Sequence, residues 1–182
     1  MILLGLIAGL GMYGYASYQR ERAVPSPVLS IEPPSPTPTP VAQISPDGTH
    51  TVELRVQEGQ TEISVNGQLI ATRPGDSGRE LRVPFNTWSP DDKYFFLEEE
   101  KAEGEEYLVM KASGETFANN EQSLTVGKLF REKYPENTIV SVTGWASPTL
   151  LIINASSEKE ASMSYWFEVP SQKFIRLSSY FY

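Results

Sequence analysis

The chain has 182 residues, 23 Asp and Glu against 15 Lys and Arg for a net charge of −8, one histidine and no cysteine. Such a balance argues against grip on a nucleic-acid backbone or an anionic membrane surface, both of which need clustered Lys and Arg. The missing thiols exclude disulfides, cysteine nucleophiles and thiolate metal sites.

Residues 1–18 carry no charged side chain and are followed by Arg20 and Arg22. Eighteen helical residues at 1.5 Å rise span roughly 27 Å, close to the ~30 Å hydrocarbon core. Tyr13, Tyr15 and Tyr18 gather at the far end, where amphipathic rings favour the lipid–water boundary. The expectation is an uncleaved signal-anchor over residues 1–19. Gly14 and Ala16 also offer small residues to a signal peptidase cutting before Ser17, and a buried helix of the domain is a third reading. Gly5-x-x-x-Gly9 permits close helix approach, although glycines tolerated in lipid explain it as well.

Residues 20–43 contain half of the chain's 14 prolines, with Ser and Thr between them. Proline locks φ and removes N–H donors, so this stretch reads as an extended polyproline II spacer. A Pro-x-x-Pro ligand or an O-glycosylated stalk are its functional alternatives. A long spacer before a substantial domain points to a single-pass cell-membrane protein with its C-terminal part outside the cytoplasm.

Residues 44–182 hold all of the net charge, because Arg20 and Arg22 cancel Glu21 and Glu32. Their pattern is β. His50–Gln57 alternates apolar and polar residues, and Glu62–Val65 and Gln68–Ala71 flank Asn66-Gly67, a pair suited to a type I′ hairpin. Further strands are expected at Leu81–Phe85, Lys93–Glu98, Glu106–Lys111, Ile139–Thr143, Leu150–Asn154, Met163–Val169 and Lys173–Leu177. Only Leu124–Tyr134 shows helical spacing, with Pro135 to end it.

A degenerate repeat runs through this region. Ile44-Ser45-Pro46-Asp47-Gly48 recurs 44 residues later as Trp88-Ser89-Pro90-Asp91-Asp92, and after another 57 as Trp145-Ala146-Ser147-Pro148-Thr149. Each copy puts a large apolar residue before a Ser-Pro turn and a strand after it; proline presets the turn and Asp caps it. These residues resemble the TolB-type, WD-like β-propeller repeat, whose blades open on a Trp/Phe-Ser-Pro-Asp-Gly-Lys turn. Glu106–Gly114 and Tyr165–Ser171 with Phe174–Leu177 are similar to its later strands. The resemblance implies an all-β, mainly antiparallel domain with about three blade-like units: a partial propeller, a β-sandwich of blade-like sheets, or part of an oligomeric ring. It also implies a binding role. Trp88 and Trp145 are expected to be buried, with Phe95, Leu97, Leu108, Leu151, Ile153, Trp166 and Ile175 nearby.

Chemistry-bearing residues are few. His50 stands alone, which leaves Ser-His-Asp and His-rich metal sites without members. Ser156-x-x-Lys159 matches a penicillin-interacting pattern without its partner motifs. Asp47 and Asp91-Asp92 offer oxygen ligands for Ca²⁺, but turn capping accounts for them. Glu98–Glu106 reads as a solvated hairpin loop around Gly104, and Asn154-Ala155-Ser156 as a chance sequon. No catalytic, cofactor-binding or metal residue is assigned, and no cofactor is expected. The function expected is a membrane-tethered, non-enzymatic extracytoplasmic domain that binds a protein or envelope polymer and no nucleic acid. The alternatives are a cell-envelope hydrolase or its accessory module, with carboxylates among Glu98–Glu100 or Asp91 and Asp92 as acid and base, and a structural, pilus-like subunit.

Overall fold

Alternation, two-residue turns and one helical stretch become three four-stranded antiparallel sheets in chain order in the computed structural model, which describes residues 41–75, 79–101, 104–159 and 162–177. The first sheet is β1 (Val41–Ile44), β2 (Thr51–Gln57), β3 (Gln60–Val65) and β4 (Gln68–Pro74). The second is β5 (Glu80–Arg82), β6 (Tyr94–Lys101), β7 (Gly104–Lys111) and β8 (Leu124–Thr125). The third is β9 (Thr138–Ser147), β10 (Leu150–Ser156), β11 (Met163–Glu168) and β12 (Lys173–Arg176). Each sheet is a meander with its first strand at an edge. Among the described residues the fold is therefore mainly antiparallel β with one short α-helix, α1 (Val126–Lys133). The apolar run of residues 1–19 and the proline spacer up to residue 40 lie outside the described residues; among those described, no helix is long and apolar enough to cross a membrane.

The hairpin at Asn66-Gly67 forms as expected, both residues adopting positive φ (51° and 75°), and Glu58-Gly59 makes a second such loop between β2 and β3 (51° and 75°). Its twist matches that of the flanking strands, which is why this turn type joins them.

Two apolar cores separate the sheets. Val52, Leu54, Ile63 and Val65 of the first sheet pack against Trp88, Phe95, Leu97, Leu108 and Met110. Phe96, Tyr107 and Val109 pack with Phe130 of α1 and with Leu151, Ile153, Tyr165 and Phe167 of the third sheet. The second sheet thus buries both faces. Its strands read as unbroken apolar runs, Tyr94–Leu97 and Tyr107–Met110, whereas β2 and β3 alternate because one of their faces is polar. Full burial of each Leu, Ile or Phe contributes about 1.5–3 kcal/mol over leaving it exposed.

Several expectations need correction. The first strand begins at Val41, inside the stretch read as spacer, because Val41–Ile44 pairs with Thr51–Leu54. The strand expected over Leu81–Phe85 stops at Arg82, since Pro84 cannot donate to a ladder, and leaves Phe85 87% exposed. Leu124 and Thr125 form a short strand against β7 before the helix starts. Trp145 and Trp166 are only half-buried and Ile175 is 46% exposed. Trp166 lies between Ile152 and Ile175 in the ladder, on the face opposite the one that Leu151, Ile153 and Phe167 turn to the core.

The acidic stretch Glu98–Glu106 is not a solvated loop. Strands β6 and β7 run through it, and Glu99 and Glu106 are buried opposite one another. Each has a cation: Lys101 Nζ lies 2.8 Å from Glu99 and Arg131 lies 3.1 Å from Glu106. Glu106 also caps α1 from outside. Thr125 makes no side-chain cap, and Glu106 Oε1 instead accepts from the backbone N–H of Gly127 at 2.5 Å and of Tyr107 at 3.1 Å. A side chain at position 127 would collide with that carboxylate, so glycine there sets how closely the helix start approaches the sheet.

Candidate functional site

The repeated Ser-Pro turns occupy the same place in the fold, between the first and second strands of each sheet, and the first two share a bonding pattern. In the first, Gly48 N–H donates to the Ser45 carbonyl (3.0 Å), His50 N–H to Ser45 Oγ (3.0 Å), and Ser45 Oγ to Asp47 (2.8 Å). In the second, Asp92 N–H donates to the Ser89 carbonyl (2.9 Å), Tyr94 N–H to Ser89 Oγ (3.0 Å), and Ser89 Oγ to Asp91 (3.0 Å). Asp92 therefore holds the left-handed position that the first turn gives to glycine (φ 56° against 76° at Gly48). In the third copy Ala146 is an extra residue in a β-bulge, so Trp145 pairs with Leu151 much as Trp88 pairs with Phe95.

The two tryptophans tie neighbouring sheets together. Trp88 Nε1–H donates to the Gln43 carbonyl on β1 (3.1 Å), and Trp145 Nε1–H, from β9, donates to the Thr87 carbonyl (3.0 Å). Asn86 adds a bond to the Thr143 carbonyl. These bonds tie the Asn86–Trp88 segment, which follows β5, to β1 on one side and to β9 on the other; Val41 and Ile44 of β1, Phe85 beyond the end of β5 and Val140 of β9 are all at least half exposed.

At the turn end the first two sheets bring Asp47, His50 and Asp92 together, with one potential ligand atom of each within 4.8 Å of the others. Asp47 accepts from Thr49 N–H (2.8 Å), Thr49 Oγ1 (2.7 Å) and Ser45 Oγ (2.8 Å), and these bonds, the Thr49 backbone first, hold its carboxyl well below the usual carboxylate range. Burial, and then the facing Asp47 carboxylate, push Asp92 up. Asp92 is 6% exposed, and its Oδ1 has no hydrogen-bond partner among the described residues. The His50 ring lies 5.9 Å from the Trp88 indole, and its Nδ1 is 2.8 Å from Thr49 Oγ1. Beside this cluster a cleft of about 450 Å³ is lined by His50, Asp92, Lys93, Tyr94, Lys111 and Glu115.

Other residues singled out in the sequence stand apart. Asp91 pairs with Lys93 (3.0 Å) rather than joining the cluster. Lys159 forms an exposed ion pair with Glu136 (3.2 Å), and Ser157 Oγ accepts from its backbone N–H, which is loop geometry. Glu100 pairs with Arg82 and Glu99 with Lys101. Asn154 is 2% exposed and accepts from Ser164 Oγ at 2.6 Å, so the sequon is buried in the folded domain.

No family model, curated protein or solved structure matches this chain.

The sequence already offers Asp47 and Asp92 as oxygen ligands, with turn capping to account for them; what it does not reveal is that His50 joins them, because the grouping spans two turns from different sheets.

Proposed function

We propose that the chain is a membrane-tethered, extracytoplasmic binding module built from three propeller-blade-like units, without enzymatic activity, and that it engages a protein or envelope polymer along its first-strand edges. The observation that carries this reading is the repeated inter-sheet tie. Each tryptophan reaches back to a carbonyl on the first-strand side of the preceding sheet, a repeated link that supports the blade-like reading. Supporting it, the edges expose Val41, Ile44, Phe85 and Val140, with Phe85 87% exposed. The net charge of −8 favours a partner with basic or neutral contact groups over nucleic acid or anionic lipid.

Two experiments test this. Protease added to intact spheroplasts is expected to release a soluble fragment beginning between Ala23 and Val41, ahead of the paired first strand; protection until lysis would reverse the orientation. A photo-crosslinking residue placed at Phe85 is expected to give a discrete crosslinked species in cells, and one at Glu62, on the outward polar side of β3, is expected to give none. Equal crosslinking at both positions would refute the edge as the contact surface.

A further inference from the structure

We propose that Asp47, His50 and Asp92 form a site for one divalent cation of borderline softness, Zn²⁺ being the probe, which clips the first sheet to the second.

The donor set comes first. Two carboxylates and one imidazole suit zinc better than calcium, whose sites are built from oxygen alone. Tetrahedral zinc with ligands at 2.0–2.2 Å holds its donors about 3.4 Å apart. One potential donor atom of each residue already lies within 4.8 Å of the others, about 1.4 Å beyond that spacing at most.

A second, independent observation is the orphaned oxygen. Asp92 Oδ1 is buried with no hydrogen-bond partner among the described residues, and its side chain faces the Asp47 carboxylate. A buried oxygen without a donor is costly. A bound cation would supply its partner.

The histidine is oriented for the task. Thr49 Oγ1 has a single proton and stands 2.7 and 2.8 Å from the two oxygens of Asp47, so it donates there and accepts from His50 Nδ1–H. The ring is thus held by a neighbour that also orients the first carboxylate. Three protein ligands leave a fourth position for water or for a group entering the adjacent cleft. Because Asp47 and His50 belong to the β1–β2 turn and Asp92 to the turn before β6, occupancy would join two sheets across 42 residues of chain.

The test uses untagged full-length protein stripped with EDTA, with ZnCl₂, MnCl₂, CaCl₂ and MgCl₂ as probes in calorimetric titration and thermal melts. Expected are one zinc per chain and a Tm rise of about 5–10 °C at a hundredfold excess over Kd, with calcium and magnesium moving Tm by less than ~2 °C on the same argument. Asp92→Asn keeps the shape and tolerates positive φ. Its metal-free form should stay folded, while its zinc affinity falls at least tenfold. His50→Gln, at a half-buried position, should lose zinc affinity without a change in metal-free Tm. Absence of a zinc-dependent rise in wild type, an equal response to calcium, or retention of wild-type zinc affinity by both variants would overturn the proposal.

Discussion

Removing the buried Glu106 side chain should destabilise the domain through the helix cap it supplies, although an ion pair with Arg131 is its visible feature. In Glu106→Ala the buried N–H groups of Gly127 and Tyr107 lose their acceptor, at about 1–3 kcal/mol each. The start of α1 also loses the negative charge that complements its dipole, about 0.5–1 kcal/mol. The Arg131 pair adds little, since Arg131 is 61% exposed at its side chain and water screens it. Relief of the like-charge contact with Glu99, directly opposite on β6, returns roughly 0.5–1 kcal/mol. The net expectation is a loss of about 3–5 kcal/mol. Glu106→Gln keeps an acceptor for Gly127 but turns an amide toward Arg131, and should lose about 1–2 kcal/mol. Arg131→Ala should lose under ~1 kcal/mol. Urea unfolding followed by tryptophan fluorescence, with m-values compared to confirm a common unfolded state, measures all three. If Arg131→Ala costs as much as Glu106→Ala, or if Glu106→Ala lies within ~1 kcal/mol of wild type, the helix-cap reasoning fails.

Trp88→Ala, at a 6%-exposed site packed on Phe95 with ring centroids 5.2 Å apart, should lose about 3–5 kcal/mol. The half-buried Trp145→Ala should lose clearly less, and equal melting of the two variants would show that the inter-sheet ties do not differ as their burial implies. The pH dependence of Glu98 has a defined sign. Its pKa is raised, by burial first and then by Glu105, so the folded state holds the Glu98 proton more tightly than the unfolded chain does. The stability this contributes is present at low pH and is lost as pH rises through the folded value. Glu98→Gln should therefore melt above wild type at pH 7 and converge with it near pH 4, as thermal melts at the two values would reveal; a constant offset, or a less stable variant at pH 7, would contradict this.

Local physics made much of this protein legible from the chain alone. Alternation in Thr51–Gln57 marks a half-buried strand, Asn66-Gly67 can enter a type I′ loop with both residues at positive φ, and Pro135 stops the one helix, all within a few residues of backbone. The repeated Ser-Pro turns likewise carry their own hydrogen bonds. Stacking, by contrast, was settled by distant contacts. Tyr94–Leu97 is apolar without a break whether one face or both are covered, and only the two flanking sheets determine that both are. Trp166 and Ile175 look like core by type, yet their register turns them to the opposite face from Phe167 and Phe174. Glu106 resembles its acidic neighbours in the sequence and differs only because a helix begins against it. Asp47, His50 and Asp92 meet for the same reason. Turn chemistry is encoded within five residues, whereas the meeting of two turns depends on how successive meanders bury their faces against each other, a packing outcome that no local pattern specifies.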